Sequence, residues 1–309
     1  MSFGEAYLHH PDLFPARLAG EPWGSATLEL DFAGGPYRFQ GLSRRQAEEL
    51  SDRFGPLCAG SAGVPPASSP CVETTLYRLA ENELKRPDLT GTNYTFDRRP
   101  AEKNVGLAGW DFLALIEMEP LRGGLWTPED GGLAFDCLLE NYFRVLVAYR
   151  LLELGGVLLH SSAAISGGKA HLFLGASGAG KTTAARKSKS RGLEVLSDDI
   201  NALCPLGDGT VVAEKLPFAG EMAQEPTPRQ SWPLGSLHRL EKGGHSREKL
   251  RSSQTLALLL SCAPFVNADP WRNPRLVENL ESLVRAFPAF ALCTERDADF
   301  WPLIEAGAP

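Results

Sequence analysis

The chain has 309 residues, 43% of them hydrophobic and 22% charged, a composition of folded globular proteins at a length sufficient for two domains or one large one. Its formal net charge of −7 argues against a nucleic-acid partner, which needs a basic face, and the small cluster Arg186, Lys187, Lys189 and Arg191 reads as a solvated helix face. The longest apolar runs are interrupted by Arg144, Arg150 and Glu153, and the N-terminus shows no basic stretch leading into an apolar one, so no membrane span and a cytoplasmic location are expected.

The first 24 residues mix prolines and polarity without a pattern. Residues 25–32 alternate in polarity as a half-buried strand does, and Gly34-Gly35 then turns the chain into a second strand through Tyr37 and Phe39, a hairpin. Ser43 followed by Gln46 forms a capping box for a helix reaching Phe54. A Pro/Gly/Ser/Ala stretch over 55–70 predicts a surface loop, and strands follow at 72–79 and 112–118. Together these predict a smaller α+β domain over residues 1–134 with a largely antiparallel sheet. Tyr94, Trp110 and Trp126 read first as core aromatics, with a recognition surface as their alternative use. The six cysteines (Cys58, Cys71, Cys137, Cys204, Cys262, Cys293) lack C-x-x-C spacing and indicate neither a zinc site nor a disulfide framework.

Residues 135–154 repeat apolar side chains at helical spacing and end at Gly155-Gly156, so a second domain is placed over 135–309. Strands at 157–159 and 163–165 flank His160, Ser161 and Ser162 and lead through Gly167-Gly168 to a third apolar run. A lone histidine at a strand end is ordinarily structural, and the serines read as loop hydroxyls.

The run GASGAGKTT then matches G-x-x-x-x-G-K-[ST], the P-loop pattern, and spans Gly175, Ala176, Ser177, Gly178, Ala179, Gly180, Lys181, Thr182 and Thr183. An apolar strand precedes it and a helix over 182–191 follows, which is the context the motif needs. The glycines let backbone N–H groups turn toward phosphate oxygens, and the helix presents its positive end to them. Lys181 would face the β/γ-phosphates of ATP, and the Thr182 hydroxyl is the expected Mg2+ ligand. The next strand, 193–196, delivers Asp198 and Asp199. Ser-Asp-Asp is ordinary turn chemistry, but beside a phosphate loop the carboxylates suit a metal and an attacking hydroxyl.

The P-loop, the short helix, the strand ending in Asp-Asp and the upstream segment LLHSSAAISGGKAHLFLG together resemble the HPr kinase/phosphorylase family, whose catalytic core is shared with ATP-dependent phosphoenolpyruvate carboxykinases. The likeness is greatest to HPr-kinase-like proteins of peptide natural product cassettes. It covers about residues 150 to 305 and is specific between His160 and Asp199. The resemblance implies an α/β P-loop catalytic domain that phosphorylates a serine on a peptide or small protein with ATP and Mg2+. It draws His160 into the site, near the transferred phosphate or as partner to the acidic pair. The family's hexamers make a homo-oligomer a further expectation.

In the mechanism so implied, Asp198 orients or deprotonates the acceptor and Asp199 holds metal, with the two roles exchangeable. After the acidic pair the chain carries EKLPFAGEMAQEPTPRQ where HPr kinases carry a signature resembling EIRGLGIINV, so phosphorylase activity and HPr as acceptor are not implied. Glu214, Lys215, Glu221 and Arg229 are the candidates for a replacement charge. Two other readings stand beside this one: a small-metabolite kinase, and a nucleotide-binding regulator that transfers nothing. The rest of the chain predicts a strand at 236–240, a helix over 246–262, a helix from Asn273-Pro274 to Ala286, a strand at 289–293 and a helix opened by Asp297.

Overall fold

The computed structural model describes residues 20–59, 70–84, 96–218, 220–222, 227–295 and 298–306; Tyr94, Asp297 and most of the predicted loop at 55–70 lie outside them. The chain divides into two compact units, 1–146 and 147–309. Sequence places the boundary at residue 134, whereas this division falls inside the long helix Gly132–Glu153. The helix serves both units. Its Tyr142 hydroxyl meets Thr74 Oγ1 at 2.8 Å, and its Tyr149 hydroxyl donates to Asp269 at 2.8 Å.

Unit 1 is built on a seven-stranded sheet of β1 (Ala26–Leu30), β2 (Tyr37–Leu42), β3 (Val72–Arg78), β4 (Asp97–Pro100), β5 (Asn104–Ala108), β6 (Leu113–Met118) and β7 (Leu121–Thr127), in the order β1-β2-β3-β7-β6-β5-β4. The hairpin β1/β2 forms as expected. The sheet is largely antiparallel, as expected, with β3 running parallel to its two neighbours β2 and β7. The reason is the connection: the chain leaves β2 through helix α1 (Arg44–Phe54), and a crossover of that kind returns a strand in the same direction. The α1 capping box is present, with Ser43 Oγ accepting from Gln46 N–H at 3.1 Å and Gln46 Oε1 accepting from Ser43 N–H at 2.9 Å.

The core of unit 1 is aromatic. Phe143, on helix α2 (Gly132–Glu153), sits 5.0–5.1 Å from the rings of Phe32, Tyr37 and Phe39 at edge-on angles. Gly123 on β7 lets α2 approach, since a Cβ there would lie 1.7 Å from the Tyr142 hydroxyl. Trp126 is buried and stacks on Tyr77 at 4.9 Å.

Unit 2 contains β8 (Val157–Ser166), β9 (Lys169–Leu174), α3 (Lys181–Ser190), β10 (Val195–Ser197), β11 (Ile200–Pro205), β12 (Val211–Glu214), β13 (Ser231–Lys242), β14 (Ser246–Lys249), α4 (Ser252–Cys262), α5 (Asn273–Ala286), β15 (Ala289–Thr294) and α6 (Trp301–Glu305). The pairings β8–β11–β12–β13–β9–β8 close a five-stranded ring, from which β15 and β14 extend beyond β13. The unit is thus mixed α/β with a small barrel at its centre.

Three expectations change here. The two strands predicted around His160 are one continuous strand, β8, whose polar centre is held by neighbours on both edges. The helix predicted from 246 begins at Ser252, because Ser246–Lys249 pair with β15 instead. Asn273 is the first helical residue of α5, with Arg272 as the N-cap. The β8–β9 turn is made by Gly167 and Gly168, both at positive φ (56° and 73°), with open space where a Cβ would project. Between β9, β13 and α6 lies a buried polar chain: His171 Nδ1 meets Ser236 Oγ at 2.8 Å, and Ser236 Oγ meets His238 Nε2 at 2.7 Å. The His238 ring stacks between Phe173 (5.6 Å) and Phe290 (5.9 Å). Among the described residues no helix is long and apolar enough to cross a membrane.

Candidate functional site

Strand direction brings the predicted residues together. Strand β8 is antiparallel to both β9 and β10, so these two point the same way, and β13 and β15 run parallel to β9. The carboxyl ends of β9 and β10 therefore open at one end of the sheet, where ligands of parallel α/β arrangements bind. Gly175 to Gly180 leave β9 there, and Asp198 and Asp199 leave β10.

The loop has the backbone of a phosphate cradle. Gly175, Gly178 and Gly180 take φ values of 153°, 77° and 107°. A Cβ on Gly175 would strike Ala179 at 2.7 Å, while Gly178 and Gly180 look into open space. Helix α3 starts at Lys181, with Ala184 N–H donating to Gly180 C=O at 2.8 Å. Lys181 folds its ammonium over the loop, donating to the carbonyls of Gly175 (2.9 Å) and Ala176 (3.2 Å). Burial pushes this ammonium below the ordinary lysine range, opposed by the Cys262 sulfur and by the Asp199 carboxylate. Thr182 is half-buried; Ala176, Ser177 and Thr183 are exposed.

Beside the loop lies a cavity of about 610 Å3, reached between Gly178, Gly180 and Thr183 on one side and Leu240, Thr294 and Phe300 on the other. It lies at the ends of β13 and β15, with Ala184, Leu240 and Phe300 as apolar wall and Lys187, Glu241, Lys242 and Glu295 as charged wall, a mixture that can take the base and sugar of a nucleotide.

The acidic pair divides into two environments. Asp199 is half-buried, and its Oδ1 lies 3.0 Å from His160 Nδ1. Asp198 is buried, with 5% of its surface exposed, and its Oδ1 accepts from Met222 N–H at 3.3 Å. Ser197 Oγ accepts from the N–H groups of Asp199 (3.1 Å) and Ile200 (3.2 Å) and so fixes the turn that presents both carboxylates.

The connecting element is the centre of β8, a strand where the polar residues predict a loop. Ser162 Oγ donates to Lys181 C=O at 2.8 Å. Ser161 N–H donates to Asp199 C=O at 2.9 Å, and Asn201 donates its amide to Ser161 C=O at 2.7 Å. Ser161, Ser162 and Asn201 are fully buried. One short segment, His160 to Ser162, thus holds the phosphate loop along one edge and the acidic pair along the other. The signal available in sequence was the pair of hydroxyls set inside an otherwise apolar strand.

The candidates for a replacement charge separate as well. Arg229 Nε lies 2.8 Å from Glu214 Oε1 in a pair whose carboxylate is buried. Glu221 meets Arg186 of α3 at 3.2 Å on the surface. Lys215 is partly buried, and burial lowers its ammonium from the ordinary range.

No group of three or more His, Cys, Asp or Glu side chains among the described residues gathers as a metal cage. Magnesium on a nucleotide needs only one or two protein oxygens, because phosphates and water supply the rest. The Thr182 hydroxyl and the Asp199 carboxylate meet that requirement in kind. Compared with known proteins, the chain matches no protein-family model and no curated relative.

Proposed function

We propose that unit 2 is an ATP-dependent kinase with the α/β P-loop core of the HPr kinase/phosphoenolpyruvate carboxykinase type, acting in the cytoplasm on a serine hydroxyl of a peptide or small protein. The observation that carries this reading is the shared strand: the phosphate loop and the acidic pair flank the same residues of β8. The resemblance between His160 and Asp199 supplies the acceptor class.

In this reading the loop amides and Lys181 bind the β/γ-phosphates, and the ammonium exchanges its loop carbonyls for phosphate oxygens. Thr182 and Asp199 would hold magnesium, which supplies positive charge beside the phosphates. His160 keeps the Asp199 carboxylate oriented through the 3.0 Å contact. Asp198 takes the proton of the acceptor hydroxyl as its oxygen bonds to the γ-phosphorus, and the bond to the β-phosphate oxygen breaks to release ADP. Most of the rate enhancement comes from positioning and charge, not covalent chemistry.

The test is intact-mass spectrometry of peptides and proteins encoded beside this chain, after incubation with enzyme, ATP and magnesium. Wild type is expected to add one phosphoryl group to a serine, and Asp198→Asn to lose the transfer by about 10²–10⁴-fold while still binding ATP. ATP binding with no mass gain on any candidate would sink the peptide-kinase reading and leave a metabolite kinase or a nucleotide-binding regulator.

A further inference from the structure

Asp198 is buried, although the reaction proposed above asks it to meet an incoming hydroxyl. What covers it is a short backbone stretch, Gly220 to Met222. Met222 N–H donates to Asp198 Oδ1 at 3.3 Å. Gly220 packs so closely that a Cβ there would lie 2.1 Å from Asp198 Oδ1, 3.0 Å from its Cγ and 3.2 Å from Asp199 Cβ. Two further contacts hold the stretch down. Glu221 pairs with Arg186 of α3 at 3.2 Å, and the Met222 side chain packs on the apolar cluster of Phe173, Ala184, Phe300 and Trp301.

Resting on the kinase reading, we infer that Gly220 and Met222 are specificity-determining residues that keep water from Asp198, so that the phosphoryl group goes to the acceptor and not to solvent. A carboxylate poised beside a nucleotide can activate water as well as a serine hydroxyl, and kinases suppress the waste by keeping the catalytic constellation incomplete until the acceptor arrives. Here the Met222 N–H occupies the carboxylate oxygen in place of an O–H donor. The acceptor hydroxyl takes that hydrogen-bond position when the Gly220–Met222 stretch moves aside. Water in that position would bond through oxygen to the γ-phosphorus, break the bond to the β-phosphate oxygen, release ADP and phosphate, and leave its proton on Asp198.

Gly220 gives a clean variant. Its φ lies outside the left-handed region, so alanine fits the backbone and collides only with the acidic pair. Gly220→Ala is expected to speed hydrogen exchange at the Met222 amide and to raise acceptor-free ATP hydrolysis at least several-fold. Asp198→Ala removes the amide's acceptor and is expected to speed the same exchange without nucleotide. Should Gly220→Ala fail to fold, the double variant Gly220→Ala/Asp198→Ala, which removes the collision, is expected to fold again.

Unchanged Met222 exchange in both single variants, or faster exchange with unchanged hydrolysis, would overturn the inference while the kinase reading stood. So would a double variant that stays unfolded. Failure of wild type to bind ATP would overturn the kinase reading and this inference with it, and the exchange measurements, made without nucleotide, tell the two failures apart.

Discussion

The two units bury different things. Unit 1 is organised by rings around Phe143, and its buried polar side chains are dispersed among them as separate contacts, Thr74 with the Tyr142 hydroxyl, Thr127 on Asp111 C=O and Gln46 on Glu129 C=O. Unit 2 places its buried polar groups at the centre: Ser161, Ser162 and Asn201 under the loop, and the His171–Ser236–His238 chain beside α6. The contrast separates two demands. An apolar core needs volume and shape, and many side chains satisfy it. A loop whose backbone groups must keep set positions is served instead by buried hydrogen bonds, such as those of Ser161, Ser162 and Asn201.

Breaking each unit at its own centre sharpens the comparison. Lys181→Ala is expected to give the largest effect, a loss of phosphoryl transfer on the order of 10²–10³-fold with no change in thermal stability of unit 1; parallel transfer assays and melting curves check it. Phe143→Ala should do the converse, costing about 3–5 kcal/mol in a denaturant titration while the folded fraction keeps its ATP affinity. Ser162→Ala is expected to cost about 1 kcal/mol in the same titration and to weaken ATP binding, because helix α3 loses its tether to β8; a fluorescent-nucleotide titration that finds unchanged affinity would show the tether to be only structural.

The smallest effect is in pH. Burial lowers both His171 and His238 below the ordinary histidine range, His238 well below it. The unfolded chain therefore binds more protons than the folded one, and this contribution is fully present above the unfolded value of 6.5 and lost as pH falls toward the folded values. Melting temperature is expected to drop as pH is lowered from about 7.5 to about 5.5, and His238→Phe, whose ring keeps the stack between Phe173 and Phe290, to flatten that slope.

Local signals were the legible ones. The capping box at Ser43 and Gln46 and the glycine pattern before Lys181 each rest on groups a few residues apart, so sequence alone locates α1 and the glycine loop that opens α3. Non-local pairing was hidden. Ser246–Lys249 read as helix because their polarity continues into α4, and only β15 alongside makes them a strand. His160 to Ser162 read as a break between strands because polar residues usually mark loops, while here Lys181, Asp199 and Asn201 supply their partners. The cover over Asp198 left no local trace, since Gly220 meets the acidic pair only through the fold.

The Gly167-Gly168 turn has a practical reach. It joins the strand that carries both halves of the site to the strand that feeds the loop, and it points into open space with both residues exposed. A reporter peptide or small fluorescent domain spliced at that turn leaves the Ser161–Leu174 and Ser162–Phe173 pairings intact. The same splice gives a tethering point for single-molecule work, through which force applied to β8 reaches its contacts with Lys181 and Asp199 together.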